Sequence, residues 1–378
     1  MHLVNSHIHT PYSFSAFKTA EEAVSLAVDA GIRVLGINDF FTTEGYDEFY
    51  AACKKKKVYP LFNIEFIGLE KDYQQTGLRF NDPSNAGRIY VCGKGLNYPQ
   101  TMSDELKQKF SLLQNESNEH VKKMLAKCNG LFANKFIVIQ LNYENIKETL
   151  AKNLVRERHL AKAIRIMAFQ QAKTSEDRKQ ILQNIYSGKE SKVDIENNNA
   201  VENEIRNNLL KNGGSAFVPE NENGFLSLSQ IKEIIIQAGG IPCYPVLLDF
   251  NNGNFTDFES DWEKMDEFLS QHNIKCIELI PSRNNKAILE DFVTFFQKRN
   301  YIILFGTEHN TPELTPLQVD ISERLQQISY DSACIIAAHQ YLKSKNEEGF
   351  LDKNHIPRVE EMDSFIDLGK RRIEEWIN

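Results

Sequence analysis

The sequence predicts an α/β protein whose parallel sheet is closed, or nearly closed, into a barrel. Two observations lead there. Seven short apolar runs alternate with helical periodicities, the pattern of successive β-α units. Several of those runs end on acids or imidazoles, and strand C-termini are where barrel enzymes gather their working groups. The 378 residues, 41% hydrophobic and 25% charged, can bury a large core without disulfide or metal staples.

The first run, His2-Leu3-Val4, leads into Asn5-Ser6-His7-Ile8-His9. Thr19 then opens a helix as N-cap, with Glu22 three residues on to complete a capping box. Ala23, Leu26, Ala27 and Ala30 form its apolar stripe, and Gly31 closes it. The second run is Val34-Leu35-Gly36-Ile37-Asn38-Asp39. A helical stretch over 46–56 leads to the third, Val58 through Ile64-Glu65, and the fourth is Ile89-Tyr90-Val91-Cys92-Gly93. The rhythm resumes at Gly240–Pro245, Cys276–Leu279 and Ile302–Phe305, the last followed by Gly306-Thr307-Glu308-His309.

Between residues 101 and 223 the rhythm breaks. This interval is rich in Lys, Glu, Asn and Gln and helical in pattern, with Leu160, Ile164, Met167 and Ala168 on one face. Its segment 190–212 is polar enough to predict partial mobility. The expected organisation is a discontinuous barrel over 1–100 and 224–320, a helical insertion over 101–223, and a helical extension over 321–378 with amphipathic stretches at 333–342 and 365–376.

Composition narrows the function classes. A net charge of −8 argues against a long nucleic-acid footprint or an anionic membrane surface, both of which need clustered Lys and Arg. No run approaches the roughly 18 apolar residues of a membrane span, and the start has no basic, apolar leader pattern. Six cysteines without a C-x-x-C pair read as buried free thiols, so the expectation is a cytoplasmic protein.

The acids and imidazoles carry the chemistry. His7 and His9 stand two apart at a strand end, so alternation puts them on one face about 6.6 Å apart at Cα, suited to one metal. Asp39 ends the second run, Glu65 the third, and Glu308-His309 the last. The plainer alternatives are strand-end histidines without metal, an outward-pointing His309, and a surface pair of Arg158 with His159. Asp39 reads as a turn residue or an orienter as readily as a general base. No G-x-S-x-G elbow, phosphate loop or dinucleotide turn competes.

His7-Ile8-His9-Thr10, Gly36-Ile37-Asn38-Asp39, Ile64-Glu65 and Gly306-Thr307-Glu308 resemble, in order, the motifs of the PHP (polymerase and histidinol phosphatase) superfamily. Arg158-His159-Leu160-Ala161 and Ala216-Phe217-Val218-Pro219 resemble segments of its branch with a helical insertion, which contains nucleotide phosphatases and exonucleases. The resemblance implies a distorted (β/α)7 TIM-like barrel and a metal-dependent phosphoesterase. It also marks departures. Phe14, Phe40, Tyr90, Tyr244 and Asn310 stand where the family has ligands, and Glu157 where it has the Arg of the insertion motif.

The retained residues, His7, His9, Glu65 and Glu308, are those the resemblance places around the first metal, while His159 would belong to the second. Two imidazoles and two carboxylates suit one Zn²⁺, Mn²⁺ or Fe²⁺. The expected function is hydrolysis of a small phosphorylated substrate by a metal-activated water at a single-metal site. His309 or Asp39 would move protons and Arg158 would steady the phosphate. The alternative, from another class, is a catalytically inactive PHP barrel that binds a ligand or partner. Amide hydrolysis is a third, less supported reading.

Overall fold

Seven strands form one sheet in sequential order in the computed structural model, which describes residues 1–100, 102–135, 137–250 and 253–378. They are β1 (Leu3–Ile8), β2 (Ile32–Phe40), β3 (Tyr59–Leu69), β4 (Arg88–Lys94), β5 (Ile241–Val246), β6 (Cys276–Leu279) and β7 (Ile302–Phe305). β1 meets β7 through the Ile8–Glu308 bridge. There the His9 amide donates to the Glu308 carbonyl at 2.7 Å and the Glu308 amide donates to the His7 carbonyl at 2.9 Å. The seam that closes the distorted barrel therefore runs through His7, His9 and Glu308. It also demands Gly306, since a Cβ there would lie 2.3 Å from that of His7.

One strand departs from the parallel expectation. β1–β2–β3 and β5–β6–β7 pair in parallel, but β4 is antiparallel to both its neighbours. The chain between Leu69 and Arg88 carries only the short helix Lys71–Thr76, too little for the helical crossover that a parallel return requires. Because β4 runs backwards, its last residue, Lys94, lies one step past the Gly93–Ile64 pair and reaches Asn38, the residue before Asp39.

Thr19 caps the helix Ala20–Asp29 by accepting from the Glu22 amide at 3.0 Å, whereas the Glu22 carboxylate reaches one residue further back, to the Lys18 amide. The helix Tyr46–Lys56 has the bounds its periodicity predicts. Between β4 and β5 lie the helices Asp104–Asn134, Tyr143–Leu150, Glu157–Gln171, Ser175–Ile185 and Asn198–Ile205. They share an apolar cluster of their own, from Val121 to Ala216, while Leu106, Phe110 and Leu113 join the main core. The expected start of the insertion, residue 101, lies outside the described residues. Segment 190–212 is not featureless: Val201, Ile205, Leu209 and Leu210 bury its helical turns.

The far end of the barrel is closed by the helices Glu323–Ser344 and Met362–Ile377. They pack on Val4, Val34, Tyr59, Ile241, Cys276 and Ile302, early residues of their strands, and on Cys92 near the end of the reversed β4. The stretch 333–340 is buried on every side rather than amphipathic, because it lies between the sheet and the last helix. All six cysteines are buried free thiols. Among the described residues no helix is long and apolar enough to cross a membrane.

Candidate metal centre and its arginine rim

His7, His9 and Glu65 come together at the inner end of β1 and β3, their ligand-capable atoms all within 4.8 Å of one another. The two Nε2 atoms are 3.1 Å apart, and Glu65 Oε2 is 3.3 Å from that of His9 and 3.9 Å from that of His7. Each imidazole is held from behind. His7 Nδ1 lies 2.6 Å from Glu278 Oε2, so it donates there and leaves Nε2 as the lone pair. His9 Nδ1 lies 3.3 Å from Ser13 Oγ, which donates at 2.6 Å to Asp39. Asn38 Nδ2 sits 3.0 and 3.3 Å from the two ring nitrogens of His7, distances that place it over the ring face rather than along either lone pair.

Two imidazole lone pairs and a carboxylate oxygen thus converge on one point among buried side chains. Such a donor set repels itself unless a proton or cation lies between, and it suits one divalent ion. The carboxylate behind each imidazole is the arrangement that fixes a ligating tautomer. Burial pushes His9 down to about 4, against the pull of Asp39 and Glu308. Burial likewise raises Glu65 to about 7, with His7 opposing and Glu308 adding to the rise.

The support under His7 was not legible in the apolar runs. Lys94, fully buried, donates to both oxygens of Glu278 at 2.8 and 2.7 Å and to Asn38 Oδ1 at 3.1 Å. Burial alone would raise Glu278, but Lys94 and His7 outweigh it and hold the carboxyl down to about 2. Ser6 Oγ adds a bond at 2.9 Å. The available signal was a charge at the end of one apolar run and another inside a second, Lys94 after Ile89–Gly93 in β4 and Glu278 in β6.

The remaining expected residues occupy other positions. Asp39 accepts from the Thr10 amide at 2.7 Å and from the Thr10 and Ser13 hydroxyls, so it positions His9 through Ser13. Glu308 lines the same cavity, but its carboxylate is bound by Arg283. Burial raises Glu308, yet Arg283 with His7 and His9 brings it below the usual range. His309 has both ring nitrogens engaged, Nδ1 with Thr307 Oγ1 at 2.9 Å and Nε2 with the Thr315 carbonyl at 2.9 Å. His159 is outside the ligand group: its Nδ1 accepts from the Arg156 amide at 2.9 Å at a helix start, and its ring meets Phe14 edge-on.

Above this centre opens a cavity of about 270 Å³, at the small end of ligand pockets. Arg156, Arg158 and Arg206 from the insertion and Arg283 after β6 line it, together with Phe14, Phe40 and Tyr90. Arg158, expected to steady a phosphate, lines the cavity; Arg156, Arg206 and Arg283 were not anticipated, although Arg156-Glu157-Arg158 is a visible charge cluster.

The PHP domain family model matches residues 5–188. Among solved structures, a protein assigned as a metal-dependent phosphoesterase from Bifidobacterium adolescentis superposes with a TM-score of 0.56 at 13% identity, over 86% of this chain and 94% of that one. An amidohydrolase from Chromobacterium violaceum, solved with sulfate and without metal, gives a TM-score of 0.52 at 13% identity, over 86% and 95%. No curated protein sequence matches the chain.

Proposed function

From the match of residues 5–188 to the PHP domain family model, we propose that this chain is a metal-dependent hydrolase, a phosphoesterase that cleaves a small phosphorylated substrate at a site for one divalent ion. The observation that carries the reading is the pair of His7 and His9 Nε2 atoms 3.1 Å apart, each imidazole held through Nδ1, with Glu65 beside them. Zn²⁺, Mn²⁺ or Fe²⁺ fits that donor set. When bound, such an ion supplies Lewis acidity and lowers the pKa of a water.

The chain's own residues do the rest. Glu278, neutralised by Lys94, keeps the His7 proton on Nδ1; Asp39, through Ser13, does the same for His9. Arg158 and Arg283 face the space where a phosphoryl group would lie. In the hydrolysis a water oxygen bonds to phosphorus, the ester P–O bond breaks, and the leaving oxygen takes up a proton. The cavity size and the net charge of −8 favour a small phosphorylated molecule over a polymer. Asp39 and His309 have their polar atoms bonded within the fold, so in this reading they orient neighbours and the proton carrier is left unassigned.

One observation favours the second reading, a catalytically silent binding protein: the Glu308 carboxylate is held by Arg283 instead of joining the imidazoles. The two readings part in one experiment. Protein loaded in medium supplemented with Mn²⁺ or Zn²⁺ should carry close to one equivalent of metal, and the His7→Ala/His9→Ala variant should carry almost none. Turnover of a phosphate-ester panel should exceed that of the variant at least a hundredfold. Metal without turnover leaves only the binding-protein reading, and no metal in the parent protein sinks the metalloenzyme altogether.

A further inference from the structure

Two arginines of the insertion lie over the two phenylalanines that interrupt the motif series. Arg156 is centred 4.5 Å over the Phe40 ring and Arg158 5.7 Å over the Phe14 ring. Phe40 is also the wall of the imidazole pair, its ring stacked on His9 at 5.0 Å and 20°. A third guanidinium, Arg206, donates to Glu157 at 3.0 and 2.6 Å. Arg158 Nη1 donates to Asn203 at 3.1 Å. Arg156 Nη1, by contrast, is buried without a hydrogen-bond partner, and its Nε is 3.8 Å from Glu157.

Three guanidinium groups therefore meet two carboxylates at the cavity, Glu157 between Arg206 and Arg156, and Glu313 beyond the Asn203 that holds Arg158. Burial and the nearby Arg206 bring Arg158 down to about 10. A buried donor without an acceptor is costly, and like charges brought together need a counter-charge. Aromatic faces stabilise guanidinium groups where water is scarce, and the planar fork of arginine matches the edge of a tetrahedral oxyanion. Three guanidinium charges against two carboxylates, with one donor unpaired, make an arrangement that suits an anion.

We propose that Arg156 and Arg158, shelved on Phe40 and Phe14 and backed by Arg206, form a cradle for a phosphoryl oxyanion, supplying beside the single-metal centre the positive charge that a second metal ion would otherwise provide. The identity of the anion rests on the hydrolase reading above; the cradle itself is a claim about binding. Phenylalanine cannot ligate a metal, but it can hold a cation, and each of the two carries one here.

The test uses the full chain stripped with a chelator, titrated calorimetrically with inorganic phosphate and, separately, with acetate. Phosphate should bind at least tenfold more tightly than acetate. Arg156→Gln and Arg158→Gln should each weaken phosphate at least tenfold, Arg158→Lys and Phe40→Leu by a smaller factor. Melting curves monitor folding; if a glutamine variant unfolds, Arg158→Lys and Phe40→Leu carry the test. Phosphate binding no tighter than acetate, or unchanged within twofold in the folded arginine variants, overturns the cradle. Because the titration involves neither metal nor turnover, that outcome leaves the hydrolase reading standing. Arginine-dependent phosphate binding supports the cradle even if turnover is never found.

Discussion

The two ends of the barrel bury histidines in opposite ways. His339, in the helix that seals the far end, donates from Nε2 to the Gly239 carbonyl at 2.8 Å and accepts on Nδ1 from the Phe350 amide at 2.9 Å. His7 and His9 are as deeply buried, yet each is anchored through Nδ1 while their Nε2 atoms face one another and Glu65. At the sealed end imidazole is spent on the fold. At the open end its coordinating capacity is withheld from the fold and held in place by carboxylates. The same division separates stability from function along other barrels, with loops at the strand C-termini left to chemistry.

Glu278→Ala tests the buried support behind His7, and the expected loss is the largest. It strands the Lys94 charge in the core, so unfolding stability measured in urea should fall by about 3–5 kcal/mol. Glu278→Ala combined with Lys94→Met should recover much of that loss without recovering metal binding. A drop below about 1 kcal/mol in the single variant breaks the claim that Lys94 depends on Glu278.

His339 sharpens the contrast through pH. Burial first, and Lys343 second, hold it down to about 4, against its bond to Gly239, from an ordinary value near 6.5. A folded value below the unfolded one means stability that is fully present above about pH 6.5 and is lost as pH falls toward 4. The linkage amounts to about 3 kcal/mol. Denaturation midpoints of the parent and His339→Gln across that range should converge in acid; parallel curves would remove His339 as the cause.

At the open end Asp39→Asn should act on affinity rather than on the fold. It touches neither metal nor substrate but orients His9 through Ser13, and losses behind a ligand run to about 10–100-fold in metal affinity. Competition with a chromophoric chelator reads it; unchanged affinity would reduce Asp39 to a turn residue. Smallest is Gly369→Ala. A Cβ there would meet the Cys334 carbonyl oxygen at 1.9 Å, so the two sealing helices must part. Overpacking, less the helix propensity regained, should cost about 1–2 kcal/mol while metal and phosphate binding stay at the parent values. Any loss of metal with Gly369→Ala would show the ends to be coupled.

Much of this was written locally. Period-two spacing placed His7 and His9 on one face, and the strand rhythm brought Glu65 beside them, because alternation along a strand is a property of adjacent residues. The helix at 46–56 and the apolar faces of the insertion were readable for the same reason. Alternation could not reveal that β4 runs backwards, which requires knowing that the 69–88 link makes no crossover. It therefore hid Lys94, a charge at the end of an apolar run with no neighbour in sequence to explain it.

The sequence by itself determined the β-α series, the imidazole pair and the aromatic residues at Phe14 and Phe40. Only the tertiary structure decided what surrounds them. Barrel closure carried Glu278 to His7 across 271 positions and turned Glu308 toward Arg283. Packing of the insertion on the barrel set Arg156 and Arg158 over the two phenylalanines. The physical reason is that an alternating strand or an amphipathic helix fixes which way its side chains point, whereas the partner each side chain meets is fixed by the closure of the sheet and by which faces must be hidden from water.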